Sequence, residues 1–345
     1  LRDVREVLSS VERWASSGRR IALATVVDRR GSAPRDPGAT LALSDDGEIA
    51  GSVTGGCVEP AVVEIASRVV GGGPPELAVY GIADEDAFEV GLSCGGTVAI
   101  AIFEPDTPPL VRLSEAVQAD RGGAFLLWLD GEALGRQRVL LADDDADDAA
   151  AEAARALLAA GQTGIADAGG ERVFVCSFAP RPALYVFGAI DHASALARVG
   201  RFLGYRVTVC DARARFVTPE RFPDVDELVV EWPDRFLASA PVDARTAICV
   251  LTHDPKFDVP TLMTALSTPA GYIGAMGSRK TTADREVRLR EQGASDADLA
   301  RIHAPIGLTI GGRTPEEVAV AIAGEIVAAN AAARARAAPV ATVIA

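Results

Sequence analysis

The sequence predicts an α/β protein in two parts: an N-terminal α+β domain over residues 1–180 and a doubly wound parallel sheet over 181–330. Three observations carry that division. From Ala183 onward, short apolar runs alternate with helix-length stretches, the pattern of parallel strands joined by crossover helices. Before Pro180, strand-like runs and helices follow no such rhythm and are broken by Asp-Gly and glycine/proline turns. A chain of 345 residues is also long enough for about two separate cores.

Taken in order, Val4, Val7, Leu8, Val11, Trp14 and Ala15 share one helical face over 3–16, which Gly18 ends. The branched run Ile21–Val27 reads as a strand. It breaks into a loop shaped by Gly31, Pro34, Pro37 and Gly38 and carrying Ser32 and Arg35. Thr40–Leu43 resumes as a strand, and Asp45-Asp46-Gly47 is a hairpin signal into Glu48–Val53.

Gly51-Ser-Val-Thr-Gly55-Gly56-Cys57-Val-Glu59-Pro60 then runs into a stretch over 61–70 with Val62, Ile65, Ala66 and Val69 at helical spacing. Pro60 suits a first helical turn, which has no donor to lose. Gly55 and Gly56 permit a sharp bend. Cys57 is thereby expected at a helix start, where unpaired amides and the macrodipole favour thiolate. A lone cysteine in a tight turn is equally read as a small buried residue. A second copy of the setting favours the chemical reading: Cys94 lies in Gly91-Leu-Ser-Cys94-Gly95-Gly96, ahead of a strand at 97–103. Cys176, Cys210 and Cys249 sit within strand-like runs and read as inert core thiols. Arg35, in its shaped loop, is either a solvated charge or a clamp for phosphate or carboxylate.

Beyond Pro105, Pro108 and Pro109 come a helix (110–119), strands near 124–129 and 133–141, the acidic run 143–148, a helix at 147–160 and a strand at 172–178. The acidic run reads as the cap of the alanine-rich helix that follows. In the second half, strands read at 183–187, 206–210, 227–231, 246–252 and 271–275. Helices read near 192–203, 233–239, 257–267, 279–293 and 315–329, the last opened by Thr314, Pro315 and Glu317 as a capping box. The tail 331–345 suits a frayed end or an oligomer contact, with a homodimer expected.

The turn Gly188-Ala-Ile190-Asp191-His192-Ala193 follows the first parallel strand, and Asp211 ends the second. This nearly matches a dinucleotide fingerprint, with Gly188 as the turn and Asp211 as a ribose ligand. Ile190 replaces the glycine that lets backbone approach a pyrophosphate, which argues against NAD(P). Two further loops fall at strand ends. His253 beside Asp254 is either a general base or a turn residue. Gly277-Ser278-Arg279-Lys280 is either an anion site at a helix start or a plain Ser278 cap with solvated cations.

A formal charge of −14 argues against nucleic acid or anionic membrane as partner, and 5% aromatic residues leave little for base stacking. No apolar run reaches the roughly 18 residues of a spanning helix, and Leu1-Arg-Asp-Val-Arg-Glu is too charged for a signal peptide. Five scattered cysteines with no CxxC pair fit a reducing cytoplasm. They also cannot supply two iron–sulfur clusters, which excludes a complete iron–sulfur dehydrogenase.

Gly31-Ser-Ala-Pro-Arg35, Gly51–Glu59 and Gly91–Gly96 resemble the N-terminal domain of the XdhC/CoxI family, a motif core within 1–107 followed by an extension at 108–180. Residues 271–329, with Tyr272-Ile-Gly, Gly277-Ser-Arg-Lys, Arg301-Ile-His-Ala-Pro-Ile-Gly307 and Arg313-Thr-Pro-Glu-Glu317, resemble its C-terminal Rossmann-like domain. The resemblance implies an accessory protein of xanthine dehydrogenase or CO dehydrogenase type molybdenum hydroxylases, without turnover of its own. Such a protein binds molybdenum cofactor (molybdopterin), protects it while a cysteine desulfurase supplies sulfur, and hands it to the client enzyme. On that reading Cys57, then Cys94, meets the molybdenum or its sulfido group. Gly31, Ser32 and Arg35 help hold the pterin or phosphate end, with Gly55, Gly56, Glu59 and Gly95 shaping the site. Gly188, Asp211, His253, Ser278, Arg279 and Lys280 are the candidate ligands of the second domain. The family has Gly-Ala-Gly-His where this chain has Gly188-Ala-Ile190-Asp191. The competing reading is an NAD(P)-dependent oxidoreductase using the Rossmann-like domain.

Overall fold

Apolar side chains at helical spacing make α1 (Arg2–Ser16) an amphipathic helix that buries Val7, Leu8, Val11 and Trp14. The computed structural model describes residues 2–32, 35–81, 96–336 and 342–344. It divides the chain into one unit of Leu1–Pro180 with Ala338–Ala345 and another of Arg181–Ala337.

In the first unit, β1 (Ile21–Arg30), β2 (Thr40–Ser44), β3 (Ile49–Gly51), α2 (Glu59–Val70), β4 (Glu76–Tyr80) and β5 (Thr97–Phe103) form an antiparallel sheet, ordered β3-β2-β1-β5-β4, with one helix. Central strand β1 is buried on both faces. Ala22, Ala24 and Val26 pack with Val62, Ala66 and Val69 of α2, whereas Ile21, Leu23 and Val27 pack with α1. This is why β1 reads as a continuous apolar run rather than an alternating one.

A helix, α3 (Thr107–Gln118), joins α1 in the same core, covered by a second antiparallel sheet of β6 (Gly123–Trp128), β7 (Gln137–Leu141), β8 (Gly164–Asp167) and β9 (Arg172–Phe178) in the order β7-β6-β9-β8. Between β7 and β8, α4 (Ala149–Ala160) seals the outer face. Asp148 caps it, accepting from the Ala151 amide at 2.9 Å, so the acidic run does open that helix. Strand β7 begins at Gln137 rather than 133, because Gly131–Ala133 forms a tight 3-10 turn.

The second unit bears out the doubly wound sheet. Strands β10 (Ala183–Phe187), β11 (Arg206–Cys210), β12 (Glu227–Val229), β13 (Ala247–Val250), β14 (Tyr272–Ala275) and β15 (Ile302–His303) are all parallel, in the order β12-β11-β10-β13-β14-β15. Among the helices, α5 (Asp191–Phe202) and α10 (Pro315–Arg336) cover one face. Opposite them lie α6 (Pro233–Ser239), α7 (Pro255–Leu266) and α8 (Arg279–Glu291); the short α9 (Asp296–Leu299) precedes β15. Neighbours β11 and β13 flank β10, so the chain reverses its winding between β10 and β13, where ligands of such sheets bind.

Helix α10 continues through Arg336 instead of stopping at 329, since the alanine- and arginine-rich sequence favours helix. Residues 342–344 are not frayed. Asp28 Oδ2 accepts from the Thr342 hydroxyl and from the Val343 and Ile344 amides at 2.8 and 3.0 Å, and Ile344 is buried with Trp14. Among the described residues no helix is long and apolar enough to cross a membrane.

Candidate functional site

Register brings two of the sequence motifs, and Gly96 of the third, to one end of the first sheet. Thr25 pairs with Thr40, and Leu41 with Gly51, so the loop holding Gly31, Ser32 and Arg35 and the loop 52–58 leave from the same edge. Arg30 pairs with Thr97, and Tyr80 with Val98, which puts Gly81 and Gly96 at that edge too. Cys94 and Gly95 lie outside the described residues.

Gly51 sets the exit of loop 52–58. Its φ is +78°, and a Cβ there would stand 2.2 Å from the Thr40 carbonyl oxygen and 2.5 Å from Val7. The loop is then organised by one carboxylate. Glu59 Oε1 accepts from the Ser52 hydroxyl (2.7 Å) and from the amides of Val53 (3.3 Å), Thr54 (2.8 Å) and Gly55 (2.8 Å). Its Oε2 accepts from the Thr54 hydroxyl (2.6 Å) and the Gly56 amide (2.8 Å). Partial burial by itself pushes this carboxyl's pKa up. The hydrogen bonds from Thr54, Ser52 and the loop amides outweigh that and hold it far below the usual carboxylate range.

The anion expected at this helix start is therefore the chain's own Glu59, the first residue of α2. Cys57 stands two residues earlier, just ahead of the cap Val58. Its free thiol is half-buried, its apolar side against the α2 core. At Gly55 and Gly56 the Cβ direction meets nothing within 4 Å. The result is a thiol on a rigid bend whose glycine side is open. Ser52 and Thr54, absent from the sequence reading, share the holding of Glu59; a hydroxyl residue on each side of Val53 ahead of Gly-Gly was the available signal.

Cys176, Cys210 and Cys249 are buried, as their strand positions indicate. Burial pushes the Cys176 and Cys210 thiols up to about 12 and raises Cys249 as well. Gly31 takes a φ of +69°, Ser32 is exposed, Arg35 is half-buried, and Arg29 pairs with Asp36 at 2.9 Å across the loop.

In the second unit, Gly188 turns with a φ of +109°, its missing Cβ 3.0 Å from Thr252 Cγ2. Asp211 faces inward from the end of β11. Its Oδ2 accepts from the Ala189 amide at 2.8 Å and from Arg213 Nη2 at 2.7 Å, and its Oδ1 from the Arg213 amide and Nε, both at 2.9 Å. Burial raises this carboxyl, but Arg213 and the Ala189 amide bring it below its ordinary value. Both oxygens that a ribose would need are thus engaged within the chain. Arg221 closes the turn from the other side, donating to the Ala189 carbonyl at 3.1 Å.

His253 is exposed, and Asp254 turns away from it to cap α7 and pair with Lys256 at 3.0 Å, so the two form no dyad. Ser278 caps α8, accepting from the Thr281 amide at 3.1 Å, with Arg279 and Lys280 exposed beside it. Beneath them lies a buried network that the sequence did not reveal. The Thr252 hydroxyl donates to Asp258 Oδ1, and Arg285 Nη2 donates to Asp258 Oδ2 at 2.9 Å and to the Met276 carbonyl at 2.6 Å. It ties the ends of β13 and β14 together. Among the described residues no cluster of three or more histidine, cysteine or acidic side chains is placed to hold a metal ion.

Two family models match the chain: the XdhC and CoxI family over residues 14–81 and the XdhC Rossmann domain over 184–326. The molybdenum cofactor insertion chaperone PaoD of Escherichia coli (strain K12) is 27% identical over 325 residues, spanning 94% of this chain and 88% of PaoD. A probable xanthine dehydrogenase subunit of Bacillus subtilis (strain 168) is 26% identical over 328 residues, spanning 88% of this chain and 92% of that one. A crystal structure of a xanthine dehydrogenase from Bacillus halodurans superposes with a TM-score of 0.67 over 97% of this chain and 98% of that one; at 22% identity it establishes shared fold alone.

Proposed function

Since the chain belongs to the XdhC and CoxI family, we propose that it carries molybdenum cofactor to a molybdenum hydroxylase of the xanthine dehydrogenase type. The observation that carries this reading is the Cys57 bend: a half-buried free thiol, fixed by Glu59 and open on its glycine side. Thiolate is a good ligand for a soft or sulfur-bearing metal centre, so the residues present fit such a cargo. The loop of Gly31, Ser32 and Arg35 leaves the same sheet edge and suits the pterin or phosphate end. Cys94 and Gly95, which follow the same pattern, are proposed as the second contact. The name of the relative PaoD supports the same role.

In this scheme the protein is a carrier rather than an enzyme. A cysteine desulfurase supplies the sulfur while the cofactor is held, and the carrier acts as a homodimer in the cytoplasm. Engagement of both Asp211 oxygens by Arg213 and Ala189 weighs against a nicotinamide-dependent oxidoreductase. The test is co-expression with a cofactor source, followed by molybdenum and pterin analysis of the purified protein. Wild-type protein should retain both and Cys57→Ala should lose most of them; equal retention by the variant removes Cys57 from the site.

A further inference from the structure

The stretch of β1 that leads into the Gly31–Arg35 loop is held differently from the rest of its sheet. Val26 is the last β1 residue joined to the β2 side: its amide donates to the Ala39 carbonyl at 2.9 Å, and its carbonyl accepts from the Gly38 amide at 2.8 Å. Past it the register with β5 slips by one residue, since Val26 pairs with Ile100 and Asp28 with Ala99. A bulge of this kind bends the strand and re-aims a side chain. Among the described residues, Asp28 and Arg29 are laddered to β5 alone. Ladder support on one side therefore stops just before the loop begins.

Thr342–Ile344 supplies a hold at that place. The segment belongs to the first unit, although the chain reaches it only after passing through the second. Asp28 Oδ2 accepts from the Thr342 hydroxyl and from the Val343 and Ile344 amides at 2.8 and 3.0 Å, while Oδ1 accepts from the Arg29 amide at 2.8 Å. Burial by itself raises this carboxyl; the donors of Thr342, Ile344, Val343 and Arg29 outweigh it and bring the group below its ordinary value. From β9, Arg172 Nη1 donates to the Thr342 carbonyl at 3.4 Å, its own Nε held by Asp130 at 2.8 Å. Ile344, 7% exposed, closes the core that also holds Val27, the extra residue of the bulge. Arg29 then spans the loop to Asp36 at 2.9 Å. Contacts thus run from Ile344 through Asp28 and Arg29 to the far side of the loop. The segment is part of no sheet, so it can leave without breaking a ladder.

We propose that Thr342–Ile344 is a strap that locks the base of the Gly31–Arg35 loop and, on leaving its socket, loosens it. With the strap seated, the loop grips the pterin or phosphate end of the cargo; with the strap out, the grip relaxes and the cargo is passed on. Asp28 is a positioning residue in this device, since it acts on the loop through Arg29 and the strap. The strap's effect on cargo rests on the carrier reading; its effect on the loop does not.

Amide hydrogen exchange of the full chain, followed by mass spectrometry over residues 26–38, tests the lock with no cargo present. Ile344→Asp, which sets a charge in the apolar socket, should speed exchange there about tenfold or more and leave β6 unchanged. Should β6 also exchange faster, the whole unit is loosened and Thr342→Val decides: it keeps the shape, removes one donor to Asp28, and should speed exchange at 26–38 about threefold. Unchanged exchange at 26–38 in both variants overturns the strap. Protein loaded by co-expression with a cofactor source gives the second readout, molybdenum retained through gel filtration. Thr342→Val should lose it faster than wild type; equal retention alongside faster exchange overturns the release role. Exchange that responds as expected in protein that never retains molybdenum, wild type included, supports the lock and sinks the carrier reading alone.

Discussion

Glu59 and Thr54 are joined twice, the Thr54 amide donating to Oε1 at 2.8 Å and its hydroxyl to Oε2 at 2.6 Å, so the carboxylate cannot rotate without releasing the bend that carries Cys57. Removing the charge leaves loop donors competing for a weaker acceptor. Glu59→Gln should cost about 2 kcal/mol of stability by urea unfolding, and should make the Cys57 segment exchange its amide hydrogens faster.

The same carboxyl carries a pH dependence. Its folded pKa is depressed below the unfolded value, so its stabilisation is fully present above the unfolded glutamate pKa of about 4.3 and is lost as pH falls toward the folded value. Unfolding free energy measured between about pH 6 and pH 3 should therefore fall more steeply for wild type than for Glu59→Gln. Parallel curves would show that the carboxylate contributes nothing beyond its shape.

Gly51 is the other determinant of the bend. With a φ of +78° and the Thr40 oxygen 2.2 Å from any added Cβ, alanine can be accommodated only by separating β3 from β2. Gly51→Ala should cost about 2–4 kcal/mol. Gly55→Ala, where the Cβ direction is open, should pay only the strain of its positive φ, about 1–2 kcal/mol. Thermal unfolding of the two variants side by side checks the order.

These positions also mark how much was legible. Local signals sufficed for Ser278, Asp148, and the Thr314 and Glu317 pair, because each cap acts within three residues of itself. Strand β8, four residues long, was missed because β9 defines it by pairing rather than its own apolar pattern. The two-residue β15 was missed for the same reason. Glycines advertised the Cys57 bend, but not that Glu59 would fill it, since loop closure aims the donors of residues 52–56. Asp258 and Arg285 lie 27 residues apart on different helices, and only tertiary packing joins them.

The four free cysteines among the described residues should separate by reactivity. Only Cys57 has partial exposure, while burial raises the thiol pKa of Cys176, Cys210 and Cys249 and so withholds thiolate. In a Cys94→Ser background, iodoacetamide should modify one thiol in the native protein, identified as Cys57 by peptide mass, and the other three only after unfolding. Native labelling at any of those three would contradict the packed core.

Asp258 and Arg285 are 3% and 5% exposed, so neither charge has water to fall back on when its partner is lost. Asp258→Ala would strand the guanidinium and remove the acceptor of the Thr252 hydroxyl, at a cost of about 3–5 kcal/mol. Arg285→Met alone leaves a buried carboxylate, which takes up a proton more readily than a guanidinium loses one and so should cost less. Joint replacement by Asp258→Leu and Arg285→Met removes both charges and should recover much of the loss, because desolvation offsets most of a buried pair's attraction. A double-mutant cycle in urea over Asp258→Leu, Arg285→Met and the joint variant would then give a coupling energy larger than the cost of Arg285→Met alone. If the joint variant proved as unstable as Asp258→Ala, the pair would be stabilising the ends of β13 and β14 through its hydrogen bonds to Thr252 and Met276 rather than through charge balance alone.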